Sequence, residues 1–120
     1  MSLRRSLAPL RRNKYGAKPT VVDGVRFASK LEATRWQELK LLERAGKIVD
    51  LRRQVKIALP AGPMKTPRRH YIADFMYWGA DSRVIEDAKG HMTKEFAVKW
   101  DWAQEEYPNW RFVLYPSRPA

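Results

Sequence analysis

The pattern of apolar and polar positions along the chain predicts a mixed α/β protein. Two segments have helical periodicity, and other apolar residues fall into short runs that alternate as strands do. In chain order the predicted elements are a hairpin, a helix, three strands, a second helix and a last strand. This order favours one mixed sheet that is covered by helices.

The first two elements have clear local signals. An Asp-Gly pair between β-branched residues predicts a hairpin over residues 21–27, because Gly accepts the positive φ of such a turn. Ser29 is a suitable N-cap, and a helix is predicted from there to about residue 45. Gly46 supplies its C-terminal stop.

The strands and the second helix follow. Strands are predicted over 54–59, 70–78 and 84–90, with a basic loop before the second strand, a turn at 79–82 before the third, and a last strand at 110–115. The short turn makes the second and third strands antiparallel neighbours. Thr93 caps a predicted helix that runs to about Tyr107. The passage from 84 to 115 is long enough for a parallel crossover.

Two acidic residues lie where a strand would normally bury an apolar side chain. By alternation Asp87 and Lys89 share one face of their strand, with Glu86 on the other face. The strand around Asp74 is apolar on both faces, with Asp74 on the same face as residues 72, 76 and 78, so we expect it to be central and covered. Asp74 is then a buried acid, which unpaired would be costly or would become neutral through a raised pKa; a metal ion or a lysine such as Lys89 would remove that cost.

Glu32 repeats this pattern on the first helix. At about 100° per residue, it falls inside an arc formed by four apolar side chains: Leu31, Trp36, Leu39 and Leu42. A carboxylate in this arc points toward the sheet, where the two aspartates could also lie.

Converging carboxylates form an oxygen-rich site suited to Mg²⁺ or Mn²⁺, which activates water and binds phosphodiester oxygens. In this hypothesis Asp74 and Asp87 are direct ligands and the carbonyl of Ala88 is a further one. Lys89 orients the water or stabilises charge on phosphorus. Glu32 binds a second ion or a metal-bound water.

Each acid also has a structural interpretation. Glu32 could serve only as the acid of a capping box with Ser29. Asp74 could form an ion pair with Lys89 or Arg26. Asp87 could lie on an exposed strand edge.

Composition adds a polyanionic partner to this picture. The chain has 120 residues, no cysteine and a net charge of +11, which favours nucleic acid and excludes disulfides and thiolate chemistry. Residues 1–19 form a predicted basic arm ahead of a single domain over 20–116. No apolar run approaches the length of a membrane helix. The absence of cysteine fits a reducing cytoplasm. The candidate phosphate contacts in the arm and in the loop at 60–69 are Arg4, Arg5, Arg11, Arg12, Lys14, Lys18, Lys65, Arg68 and Arg69.

The runs Ala73-Asp74 and Asp87-Ala88-Lys89 resemble the two halves of the PD-(D/E)XK nuclease motif, with Ala73 in place of the proline. Residues 13–18 and 27–33 look like a small phage-associated group described as endonuclease-like or Holliday-junction-resolvase-like. The resemblance covers about residues 13–115.

This resemblance implies a restriction-endonuclease-like mixed four-stranded sheet flanked by helices. It further implies catalytic Glu32, Asp74, Asp87 and Lys89, a Mg²⁺ cofactor, and Gln54 near the site. The expected activity is hydrolysis of DNA phosphodiester bonds in a bacterial or phage-infected cell. Branched or junction DNA is one expected substrate, and a junction would favour a homodimer. The alternatives are a non-catalytic nucleic-acid-binding module and a phage accessory protein.

Overall fold

A computed structural model describes residues 18–61 and 66–116, without the side chains of residues 61 and 66–68. The elements are β1 (Thr20–Val22), β2 (Val25–Phe27), α1 (Lys30–Arg44), β3 (Val49–Ala61), β4 (Thr66–Trp78), β5 (Arg83–Ala88), α2 (Lys94–Glu106) and β6 (Arg111–Tyr115). Most of the predicted arm and Lys65 lie outside the described residues.

The main sheet has four strands in the order β3-β4-β5-β6. The first three strands are antiparallel neighbours, and β6 pairs with β5 in parallel after the crossover through α2. Strands β1 and β2 form a separate hairpin. The predictions of an α/β protein with a mixed sheet, an N-terminal hairpin and a parallel crossover are confirmed. No helix in the described part of the chain is long and apolar enough to cross a membrane.

The helices begin and end where the capping residues predict. The hydroxyl of Ser29 accepts a hydrogen bond from the backbone N–H of Glu32, and Thr93 does the same at the start of α2. At the end of α1, Gly46 adopts a φ of 78°. The N–H groups of Gly46 and Lys47 bond to the Glu43 and Leu42 carbonyls, as in a Schellman motif.

Strands β3 and β4 are longer than predicted, so the predicted loop at 60–69 is wrong for residues 60–61 and 66–69. Pro60 and Pro67 belong to the paired strands. Both are tolerated because β3 is an edge strand and because β5 pairs with β4 only from Phe75 onward. Strand β5 ends at Ala88, so Lys89 lies just beyond the strand in which it was predicted.

Two apolar clusters pack on the two faces of the sheet. One cluster joins two side chains of α2 to side chains of the sheet. Its members are Ile57, Leu59, Tyr71, Ala73, Met76, Ile85, Trp100 and Ala103. The other packs under α1: Leu39, Ile48, Phe75, Tyr77, Val84 and Ala88. Helices therefore cover the sheet from both sides, and α1 presents Glu32 to it.

The predicted alternation of β4 is broken at Asp74. Ala73 belongs to the α2 cluster whereas Phe75 belongs to the α1 cluster, although residues two positions apart in a regular strand share a face. Strand β3 breaks at the same level, since Val55 packs with α2 and Leu51 with α1. The pairing register is the same before and after this level, so no residue is inserted.

The cause of this break lies in Gln54, which is opposite Asp74 and has a φ of 53°. The expectation that Asp74 shares a face with Met76 and Trp78 is therefore wrong. Met76 packs against the α2 cluster, whereas Asp74 lines a cleft together with Glu32 of α1.

A buried ion pair ties α1 to the centre of the sheet. Glu86 is 0% exposed and accepts hydrogen bonds from the guanidinium of Arg35 and the hydroxyl of Tyr77. The guanidinium also lies over the ring of Tyr115. Because Arg35 is one turn from Glu32, this pair fixes the orientation in which Glu32 meets the sheet.

Replacing Arg35 with Met should destabilise the protein by about 3–5 kcal/mol, because Glu86 would remain buried without its countercharge. Urea unfolding followed by circular dichroism measures this change. Arg52→Met is the matched control, since its ion pair with Asp50 is exposed and should contribute little. Equal stability of the two variants would contradict the structural role assigned to Arg35.

Candidate active-site cleft

A cleft of about 1020 Å³ opens between the stem of the hairpin, the start of α1, Asp74 within β4, the end of β5, and the start of α2. Among the residues that line it are four of the predicted catalytic or metal-binding residues: Glu32, Asp74, Ala88 and Lys89. Lys18, Lys30 and His91 also line it. Acidic side chains thus lie beside several basic ones in one cavity.

Asp74 lies at the point where β4 and β5 diverge. The ladder between these strands ends at the pair of Phe75 and Glu86. The Oδ2 atom of Asp74 then accepts a hydrogen bond of 2.9 Å from the backbone N–H of Ala88. Burial raises the pKa of Asp74, while this hydrogen bond and the charge of Lys89 oppose the increase. The Asp74 carboxylate therefore takes the place of the next backbone hydrogen bond between β4 and β5.

Glu32 is 4% exposed and faces the sheet rather than the helix cap. Its Oε1 atom accepts a hydrogen bond of 3.2 Å from Nε2 of Gln54 and lies 3.8 Å from a guanidinium nitrogen of Arg53. Burial and then the charge of Asp74 raise the pKa of Glu32 to about 7. Ser29 caps the helix as predicted, but the Glu32 carboxylate binds Gln54, so the role of a capping-box acid alone does not describe it.

Asp87 lies behind the cleft wall. It is 1% exposed, which excludes the exposed-edge interpretation. Nζ of Lys89 is 3.6 Å from its Oδ1 atom. Burial raises the pKa of Asp87 to about 7, and the charge of Lys89 limits this increase. By the alternation of β5, Asp87 lies on the side of Ile85 toward α2, so the two aspartates reach this region by different routes.

Lys89 is held at both its backbone and its side chain. Its N–H donates to the carbonyl of Tyr115 in β6, and its ammonium group lies over the ring of Phe96 in α2. The same ammonium group lowers the pKa of all three acids, Glu32, Asp74 and Asp87. Lys89 is therefore the cation that these carboxylates share.

Glu86 is not part of this group, because Arg35 and Tyr77 occupy it on the α1 side. This agrees with the choice of Asp87 over Glu86 in the sequence pattern.

Arg53 is a site residue that the sequence analysis missed. Its guanidinium lies over the ring of Phe27, donates to the carbonyl of Arg26 and lowers the pKa of Glu32. Arg53 thus joins the hairpin to the site. Only its position beside Gln54 gave a signal in the sequence.

The predicted phosphate contacts have different outcomes. Lys18 lines the cleft and Arg69 is exposed in β4. Gln54 lies at the site through its bond to Glu32, as predicted. The side chain of Arg68 and five further residues lie outside the described part: Arg4, Arg5, Arg11, Arg12 and Lys14. Lys65 lies outside it as well.

The acids meet the chemical requirements of a divalent cation only in part. The carboxyl groups of Asp74 and Asp87 are buried, and burial is the largest cause of their raised pKa values, so a nearby cation would stabilise their charged forms. Asp74 and Asp87 therefore fit as ligands of Mg²⁺ or Mn²⁺ in their chemistry. Within residues 18–61 and 66–116, however, no three acidic or histidine side chains are already arranged as a metal site. Glu32 is held by Gln54 and lines the same cleft as Asp74.

The fold and the cleft define a basic α/β protein with a buried acidic group beside a lysine. A family model described as a protein of unknown function (DUF1064) matches residues 12–115, and the chain belongs to this family. No curated protein and no solved structure matches the chain.

The raised pKa values predict how stability changes with pH in the absence of divalent cations. A carboxyl group whose pKa is near 7 when folded and about 4 when unfolded binds more protons in the folded state, so stability falls as pH rises between these values. Each such group contributes up to about 1.4 kcal/mol per pH unit. Glu32→Gln should therefore gain stability relative to wild type from pH 5 to pH 8.

Thermal unfolding in EDTA measures this difference. Glu105→Gln is the control, because Glu105 is exposed on α2. A constant difference between Glu32→Gln and wild type across this range would contradict the raised pKa.

Proposed function

We propose that this protein is a metal-dependent endonuclease that hydrolyses phosphodiester bonds of DNA, with a site of the PD-(D/E)XK type. The observation that carries the proposal is the group formed by Asp74, Asp87 and Lys89 at the divergence of β4 and β5, with Glu32 beside it. In a chain of net charge +11, a local excess of buried acids requires a cation, and a cation beside basic residues attracts phosphate.

The sheet order supports the finer assignment to a restriction-endonuclease-like fold. Three antiparallel strands followed by a parallel strand, with one helix on each face, agree with the fold that the motif implies. Branched or junction DNA remains the substrate suggested by the resemblance, and a homodimer would suit a junction.

The chain's own residues have distinct roles in this proposal. Asp74 and Asp87 would hold Mg²⁺ or Mn²⁺, with the carbonyl of Ala88 as a further ligand. When bound, the ion supplies Lewis acidity toward the phosphodiester and lowers the pKa of water. Lys89 places a positive charge where the phosphate gains negative charge. Glu32, with a pKa of about 7, can exchange a proton near neutral pH.

A non-catalytic nucleic-acid-binding module is the second candidate. It is favoured by the position of Asp87 behind the cleft wall and by the lack of an assembled group of three metal-binding side chains in the described residues. This candidate predicts DNA binding that depends on salt and no cleavage that depends on metal.

Asp74→Asn, Asp87→Asn and Lys89→Met should each reduce Mg²⁺-dependent DNA cleavage by about 100-fold or more, because the first two remove a ligand of the ion and the third removes the positive charge at the reacting phosphate. The assay uses plasmid, flap and four-way junction substrates with Mg²⁺, Mn²⁺ or EDTA. Asp101→Asn is the matched control, since Asp101 is exposed on α2. Cleavage by Asp87→Asn at the wild-type rate would reject the assignment, and no cleavage by wild type on any substrate would favour the second candidate.

Metal binding can be measured without activity. Mn²⁺ or Mg²⁺ should raise the melting temperature at pH 8, because a ligand that binds only the folded state stabilises it by an amount that grows with the logarithm of the ligand concentration. Asp74→Asn and Asp87→Asn should lose this increase, and Asp101→Asn should keep it. An equal increase in all four proteins would show binding elsewhere.

A further inference from the structure

Strands β3 and β4 continue beyond the rest of the sheet as a two-stranded ribbon. Residues 55–61 pair with residues 66–73, whereas β5 pairs with β4 only from Phe75 to Trp78. At about 3.3 Å per residue, the ribbon extends roughly 20 Å. Its base is the level of Gln54 and Asp74, so it starts at the candidate active site.

The two faces of this ribbon differ. Its inner face carries buried side chains that pack in the α2 cluster: Ile57, Leu59, Tyr71 and Ala73. Its outer face carries Lys56, His70 and Ile72, all of them exposed. Ile72 is 50% exposed although it lies in the middle of a strand. Among the described residues, nothing covers this outer face.

The charge of the ribbon indicates what could cover it. The described side chains of the ribbon, residues 55–60 and 69–73, include Lys56 and Arg69 and no Asp or Glu. The pair formed by Lys56 and Ile72 lies at the centre of the outer face. A basic surface without acidic side chains fits a polyanion, and the phosphates of nucleic acid are the polyanion that it favours most.

We propose that the outer face of the β3–β4 ribbon docks into the major groove of duplex DNA next to the cleft. The major groove is about 12 Å wide and admits a two-stranded ribbon, whereas the minor groove, at about 6 Å, does not. This inference rests on the proposed function and narrows its substrate to DNA that is double-stranded beside the cut. Gln54 and Asp74 join the docked ribbon directly to the acidic group.

Binding to a fluorescent duplex in EDTA tests the proposal without cleavage. Ile72→Glu should weaken duplex binding at least about tenfold, because it places a carboxylate against phosphates. Val98→Glu is the matched control: Val98 is 63% exposed on α2, which covers the other face of the sheet, and the same charge change there should alter binding less than about twofold. Equal effects of the two variants, or none, would overturn the proposal.

The salt dependence identifies the phosphate contact. Lys56→Ala should reduce the slope of log affinity against log salt concentration by about one unit, the value for one lost phosphate contact. Lys47→Ala, at the exposed end of α1, should leave the slope unchanged. An unchanged slope for Lys56→Ala would contradict docking by this face.

Two further measurements distinguish the possible partners of the outer face. Glucosylated hydroxymethylcytosine, which fills the major groove, should weaken binding, whereas a minor-groove ligand should not; the reverse result would refute the assignment of the groove.

Sedimentation of the free protein should give the same mass for wild type and Ile72→Glu. A dimer that dissociates in Ile72→Glu would instead assign this face to a second copy of the chain.

Because all binding is measured in EDTA, a protein that docks but does not cut DNA would reject the proposed activity and leave the docking surface supported. A protein that cuts DNA but binds equally well with Ile72→Glu would reject only the docking surface.

Discussion

The site depends on a simultaneous break in the alternation of two neighbouring strands. In an ordinary ladder Asp74 would share the face of Met76 and point toward α2, away from Glu32. Because Gln54 adopts a positive φ opposite it, both strands change face at this level while their register is kept. Two consecutive residues of β4, Asp74 and Phe75, thus point to the α1 side of the sheet. Asp74 bonds to β5 where the two strands diverge, and Phe75 packs under α1.

The second condition is the attachment of α1. Glu32 approaches the sheet only because the helix is held there by a buried pair, Arg35 with Glu86, and by aromatic packing of Trp36 on Phe75. Isolated burial of Glu86 would be strongly unfavourable, so the pair specifies one placement of the helix. The approach of α1, and with it of Glu32, to the sheet is thus set by contacts of Arg35 and Trp36.

Much of the fold could be predicted because its signals are local. The hairpin follows from Asp23 and Gly24, which both have positive φ, and the helix boundaries follow from their caps. The lengths of β3 and β4 could not be predicted in the same way, since Pro60 and Pro67 normally end strands and are accepted only where one side of the strand is unpaired. Whether a strand lies at the edge of a sheet depends on the assembled sheet, so the local sequence does not reveal it.

The site could be predicted as a set of residues but not as a geometry. Glu32, Asp74 and Lys89 line one cleft, yet alternation assigned Asp74 to the wrong face, because it assumes regular backbone at Gln54. Arg53 was missed because its partners, Phe27 and Glu32, are distant in sequence.

The bond between the Lys89 N–H and the Tyr115 carbonyl has a consequence for any attempt to transplant this chemistry. The shared ammonium group takes its position from the edge strand β6, which joins the sheet only after the crossover through α2. A graft limited to the hairpin, α1 and the three antiparallel strands would carry every carboxylate but lose the anchor of its counterion. The smallest transferable unit therefore includes the crossover.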